Sequence, residues 1–198
     1  MSEPSQVPPL SRFPVPDLEE LPTDLAERIA EVADKSGFVP NIFRALAWRP
    51  VEWRAFFAYH DALMDKESPA LSKADRELIV VVTSAANDCL YCVVAHGAIV
   101  RIRARDPLLA DQVAVDWRKA PLTAAQRVML EVALLLTVDP VAVGDEHFAV
   151  LAEAGFSQED IWDIGSISAL FALSNRLAHW AAVPPNDEFY LLGRVARE

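Results

Sequence analysis

A helix-start signature recurs along the chain and narrows the fold more than any other feature. Ser72-Lys-Ala-Asp75, Thr123-Ala-Ala-Gln126 and Ser157-Gln-Glu-Asp160 each place a hydroxyl three residues ahead of a side chain able to reach back to the backbone. Each then leads into a long apolar run. Such reciprocal pairs satisfy the free N–H groups that open a helix. The run Glu77-Leu-Ile-Val-Val-Val-Thr83 has strand propensity, but its cap and the Ala85-Ala86 continuation predict a buried helix. Leu71-Ser-Lys-Ala-Asp75 and Leu122-Thr-Ala-Ala-Gln126 also read as a weak internal duplication, whose second copy lacks cysteines.

The remaining pattern is helical too. Residues 1–22 are rich in proline (Pro4, Pro8, Pro9, Pro14, Pro16, Pro22) and are expected to form an extended arm that lies along a neighbour. Residues 23–198 are expected to form a single domain. Within it, a helix follows Thr23 and stops at Gly37, a short one covers Asn41 to Trp48, and an aromatic one runs from Val51 to about Asp65. A cysteine-bearing helix ends near Arg105, before Asp106-Pro107. The helix after Thr123 ends near Asp139-Pro140, and others span Asp145–Ala154, Gln158–Ala181 and Glu188–Arg197. No period-two strand pattern with turn dipeptides occurs, so the predicted class is all-α.

Composition excludes several functions. A net charge of −11 opposes binding to nucleic-acid phosphates or an anionic membrane surface. The first residues lack a basic start and an apolar core, and charges interrupt every apolar run, so a cytoplasmic protein without a membrane span is expected. Two cysteines cannot brace a chain of 198 residues, and in a reducing compartment a close pair points to catalysis or metal binding.

Both cysteines lie in Asn87-Asp88-Cys89-Leu90-Tyr91-Cys92-Val93-Val94-Ala95-His96-Gly97. On a helix, Cys89, Cys92 and His96 share one face. With Asn87 or Asp88 as N-cap, the sulfurs would sit near the positive end of the helix dipole, which favours thiolate. His96 is one turn from Cys92 but about 10 Å along the axis from Cys89. It is therefore expected to activate Cys92, giving that thiol the lower pKa, while Cys89 is placed to close a disulfide on an oxidised Cys92. The competing argument is that the dipole acts most strongly on Cys89.

A histidine base needs an acceptor on its other nitrogen, and Glu77 is the best candidate; the alternative is a first-turn Glu77 facing water. Cys89, Cys92, His96 and Glu77 could also supply zinc ligands, but their spacing on a single helix differs from the usual two-part zinc layout. Redox chemistry without metal or cofactor is the expectation. Tyr91 is expected to pack at the rim of the site. Asp145-Glu146-His147 reads as a charged helix start, His60 and His179 as core or interface residues, and Asn175-Arg176 as a buried polar contact.

Glu77, Cys89-Leu-Tyr-Cys92 and His96 together resemble the alkyl hydroperoxidase D-like and carboxymuconolactone decarboxylase superfamily, and its peroxidase-related branch in particular. Gly37-Phe-Val-Pro-Asn-Ile-Phe-Arg44 and the Asn175-Arg176 helix support that branch. The resemblance covers most of the chain beyond the arm. It implies an all-α fold assembled as dimers, trimers or hexamers. It also implies that Cys92 attacks a hydroperoxide, His96 passes its proton towards Glu77, and Cys89 resolves. The hydroperoxidase proper carries a second relay histidine where this chain has Tyr91. The decarboxylase branch generally lacks the cysteine pair, which makes decarboxylation the less expected activity.

The leading expectation is thus a thiol peroxidase that reduces a hydroperoxide at the expense of a dithiol or protein reductant. The alternatives are a dithiol–disulfide oxidoreductase acting on a protein or lipoyl-like dithiol, and a non-catalytic redox sensor. The clustered Trp48, Trp53, Phe56, Phe57 and Tyr59 suggest a homo-oligomer, either dimer or hexamer.

Overall fold

A computed structural model describes residues 9–194. Their regular structure is entirely helical: α1 (Thr23–Ser36), α2 (Asn41–Leu46), α3 (Pro50–Met64), α4 (Lys73–Ala86), α5 (Leu90–Ala104), α6 (Leu109–Asp116), α7 (Ala124–Val138), α8 (Asp145–Glu153), α9 (Gln158–Ala181) and α10 (Glu188–Leu191). The predicted all-α class is the observed one, and the end of the last predicted helix, beyond residue 194, lies outside the described residues. No single described helix is long and apolar enough to cross a membrane.

The predicted caps form as reciprocal pairs at Ser72/Asp75, Thr123/Gln126 and Ser157/Asp160. Each hydroxyl cap is worth about 1 kcal/mol. The first two are also joined, because Gln126 Nε2 donates to Asp75 Oδ1 at 2.8 Å. That bond sets the starts of α4 and α7 side by side.

The strand-like run is the centre of the molecule. Every residue from Arg76 to Ser84 is buried, so α4 is enclosed on all sides by α5, α6, α7 and α9. Burial of its β-branched residues outweighs their modest helix propensity. Arg76 enters this core by donating to Asp163 Oδ2 on α9 (2.9 Å) and to the Leu63 carbonyl (2.9 Å). Asp163 also pairs with Lys66 at 2.8 Å. A second cluster, built from α1, α2, α3, α5, α9 and α10, encloses the cysteines.

Two local expectations change. The sequence reading assigns no helix between Pro107 and Leu122, yet α6 forms there, with Asp106 Oδ1 accepting the N–H groups of Leu108 and Leu109 (2.9 and 3.2 Å). The part of the arm within the described residues packs on its own chain. The Arg12 N–H donates to the Ala181 carbonyl (2.8 Å), and Phe13 stacks on Trp48. Trp53 and Phe57 are buried in the second cluster, so the aromatic run of α3 is chiefly interior rather than a sticky surface.

Candidate active site

The link between α4 and α5 places the cysteines. It is a tight turn in which the Cys89 N–H donates to the Ser84 carbonyl (2.9 Å) and the Asp88 N–H to the Ala85 carbonyl (3.1 Å). This is the Schellman pattern, and Asp88 takes its left-handed position with φ 52°. Cys89 follows with extended dihedrals and is itself the N-cap of α5. Neither Asn87 nor Asp88 caps that helix, contrary to the sequence expectation. Both are used up in ending α4.

Both thiols are free and each residue is only 1% exposed. Cys92, in the first turn of α5, lines a cavity of about 530 Å³, and Cys89 does not. Aromatic and aliphatic side chains dominate the walls: Phe43 from α2, Phe56 and Phe57 from α3, Ile99 from α5, Phe171 from α9 and Phe189 from α10. Lys35 and Arg103 stand among them as the cations.

The histidine and glutamate of the motif come together as a pair. Glu77 is buried and accepts from His96 Nδ1 at 2.7 Å, while Arg103 approaches its other oxygen at 3.3 Å. The water-facing alternative for Glu77 is therefore excluded. Fixing Nδ1 in this way leaves His96 Nε2 to face the cavity. No hydrogen bond joins His96 to either sulfur among the described residues. Instead, Cys92 Sγ lies 3.8 Å from the Ser174 hydroxyl.

The order of the two thiol pKa values is the reverse of the sequence expectation. Cys89 is lowered from 9.0 to about 7, chiefly because the Cys92 thiol donates towards it. The Cys92 backbone N–H, the charge of His179 and the Asn175 amide help in the same direction, against the cost of burial. Cys92 is raised by that same interaction with Cys89 and by burial. The two thiols thus titrate as a pair, with Cys89 shifted down and Cys92 shifted up.

Residues far away in sequence complete the surroundings. Asn175, fully buried on α9, donates to Ser84 Oγ (2.9 Å) and accepts from Asn87 Nδ2 (2.9 Å). It is the buried polar contact expected from the sequence, and in addition it favours the thiolate form of both cysteines. His179 Nε2 donates to the Asn87 carbonyl at 3.0 Å, which steadies the turn. Tyr91 is buried in the cavity wall, its hydroxyl accepting the Ile42 N–H (3.3 Å), and burial pushes its pKa upward. His147 Nδ1 accepts the Gly144 N–H at the start of α8, the role expected of a helix opening. His60, read from sequence as a core or interface residue, lines the same cavity as Cys92 and His96. Its position on α3 carries no local signal; only the fold brings it there.

Residues 53–106, which span α3 to the end of α5, match the carboxymuconolactone decarboxylase family. A solved peroxidase-related protein from Ralstonia eutropha JMP134, described as an alkylhydroperoxidase AhpD core, superposes with a TM-score of 0.93 at 56% identity. That match covers 96% of this chain and 100% of the other. A peroxidase-related protein from Silicibacter sp. TM1040 gives 0.88 at 36% identity, covering 98% and 100%. The debrominase Bmp8, solved with 2,3,4-tribromopyrrole, shares the fold alone, with a TM-score of 0.68 at 20% identity over 84% of this chain and 88% of that one. No curated protein matches the sequence significantly. The helical order, the site on α4 and α5 and these relatives place the chain in the alkyl hydroperoxidase D-like and carboxymuconolactone decarboxylase superfamily, to which it belongs.

Proposed function

We propose that the protein is a thiol peroxidase that reduces an apolar organic hydroperoxide and closes a Cys89–Cys92 disulfide in each cycle. The observation that carries this reading is the placement of Cys92 in the wall of a large apolar cavity beside the Glu77–His96 pair. Cys89 waits behind it, one helical turn away and off the cavity.

A hydroperoxide in the cavity meets Cys92 first. The Cys92 proton passes to Cys89, with which Cys92 titrates as a pair, or to His96 Nε2. Glu77 holds His96 Nδ1 and so fixes the orientation of the ring. The Cys92 sulfur takes the terminal oxygen and becomes a sulfenic acid. Cys89 then attacks that sulfur and expels water, forming the disulfide. Two electrons have moved from the thiol pair to the peroxide, and a dithiol reductant returns them.

A second reading, a dithiol–disulfide oxidoreductase, is favoured by the Cys89 titration near 7. The burial of both sulfurs keeps a folded protein's disulfide away from them, whereas a slender lipoyl-like dithiol fits the cavity. Such a molecule serves the peroxidase as its reductant. Peroxide consumption with several small dithiols, wild type beside Cys92→Ser, tests the proposal. Multiple turnovers by wild type and none by Cys92→Ser are expected. Wild type that reduces small disulfides but consumes no hydroperoxide would replace the first reading with the second.

A further inference from the structure

A second histidine of the cavity wall, His60, also has a carboxylate partner. His60 Nδ1 lies 3.1 Å from Asp61 Oδ1, and Asp61 is held from the other side by Arg28 Nη2 at 2.8 Å. This fixes the His60 ring as Glu77 fixes that of His96. His60 Nε2 has no hydrogen-bond partner among the described residues, and the residue lines the cavity with Cys92. The two imidazoles stand 6.4 Å apart between centroids, and both lie edge-on to Phe171 (6.3 Å for His60, 4.7 Å for His96). Phe57 flanks His60 at 6.3 Å. The cavity wall thus offers two separately anchored imidazoles in apolar surroundings, and Cys92 lines the same space. The attack of a thiol on a hydroperoxide involves two proton movements, one away from sulfur and one onto the departing oxygen.

We propose that His60 is a further catalytic residue, the general acid that protonates the departing oxygen of the hydroperoxide. This inference rests on the thiol-peroxidase reading. As the Cys92 S–O bond forms, the O–O bond breaks and its electron pair goes to the inner oxygen. The hydrogen on the terminal oxygen stays with the new sulfenic acid. The inner oxygen takes the Nε2 proton of the His60 imidazolium and leaves as an alcohol. Neutral His60 then regains a proton from water, while the proton lost by Cys92 returns to solvent through its own acceptor. Sulfur is oxidised by two electrons and the peroxide is reduced by two. The Asp61 carboxylate is a positioning group: it holds Nδ1 and so turns Nε2 towards the cavity. An alkoxide released into this apolar space without a proton would be a strongly disfavoured leaving group.

The test exploits a leaving group that needs no proton. Peroxyacetic acid departs as acetate, whereas tert-butyl hydroperoxide departs as an alkoxide unless it is protonated. Single-turnover oxidation of Cys92 is measured with both oxidants in wild type, His60→Gln, His60→Phe and Asp61→Asn. Loss of a general acid costs about a hundredfold or more. The His60 variants are expected to lose that much with tert-butyl hydroperoxide and to stay within threefold, about the spread of a repacked site, with peroxyacetic acid. Asp61→Asn should show the same selectivity with a smaller loss, about tenfold. Equal slowing with both oxidants in every variant, or no slowing with the hydroperoxide, overturns the role of His60. Failure of wild type itself to react with tert-butyl hydroperoxide overturns the peroxidase reading instead.

Discussion

Replacing Cys92 with alanine removes the donor that most lowers the Cys89 pKa. The fall from 9.0 to about 7 multiplies the thiolate-to-thiol ratio about a hundredfold at a given pH. A hydrogen bond to a charged group is worth about 1.5–3 kcal/mol, which equals about one to two pKa units. Burial, which opposes the thiolate, is left in place by the substitution. In Cys92→Ala the midpoint of Cys89 should therefore rise from about 7 by about one unit or more. The ultraviolet absorbance of the thiolate, followed through the neutral and alkaline range, reads this directly, and the pH dependence of iodoacetamide labelling provides a check. Thiolate reactivity of the wild-type pair should grow as pH rises through about 7, whereas in the variant the same growth should come later. In the reciprocal Cys89→Ser protein, Cys92 should titrate lower than it does in wild type, because Cys89 is the first cause of its elevation. A Cys89 midpoint still near 7 after loss of Cys92 would refute the role of the Cys92 thiol and assign the depression to the helix N-terminus and Asn175.

Other consequences follow from the same geometry. Glu77→Gln removes the charge that fixes His96 and faces Arg103, and should slow Cys92 oxidation about ten- to a hundredfold; an unchanged single-turnover rate would count against the orienting role. Asp163→Ala leaves Arg76 charged and buried, and should cost about 3–5 kcal/mol in urea unfolding; a loss below about 1 kcal/mol would show that Arg76 finds other partners. Trp162, Leu173 and Trp180 lie within about 20° of one line along α9 and are 74%, 50% and 68% exposed. This stripe replaces the α3 aromatics as the expected self-association face. Light scattering should give a homo-oligomer for wild type and a smaller mass for the Trp162→Glu, Leu173→Glu double variant; an unchanged mass would exclude this face.

The features legible in the sequence are those written locally. The capping pairs at Ser72, Thr123 and Ser157 mark helix starts through contacts three residues long, and the structure reproduces them. The Glu77–His96 contact was also within reach, because a carboxylate in so apolar a run needs a partner. Helix α6 was hidden because Asp106-Pro107 reads as a stop signal, although the same aspartate also serves the N–H groups of the next helix. The true N-cap of α5 was hidden because Asp88 adopts a left-handed conformation usually signalled by glycine. The order of the thiol pKa values depends on which S–H donates, a fact of three-dimensional placement that spacing does not encode. His60, Ser174 and Asn175 reach the site from α3 and α9, and no pattern along the chain links them to the cysteines.

The central claim is that Cys92 is the sulfur that meets peroxide, even though the Cys89 thiol has the lowered pKa. Trapping with a sulfenic-acid probe, located by peptide mass spectrometry in each single-cysteine protein after brief exposure to hydroperoxide, tests it most directly. The account predicts strong labelling at Cys92 in Cys89→Ser and none at Cys89 in Cys92→Ser. Label on Cys89 in Cys92→Ser, with Cys92 unlabelled in the other variant, would contradict it and make the N-cap cysteine the attacking residue.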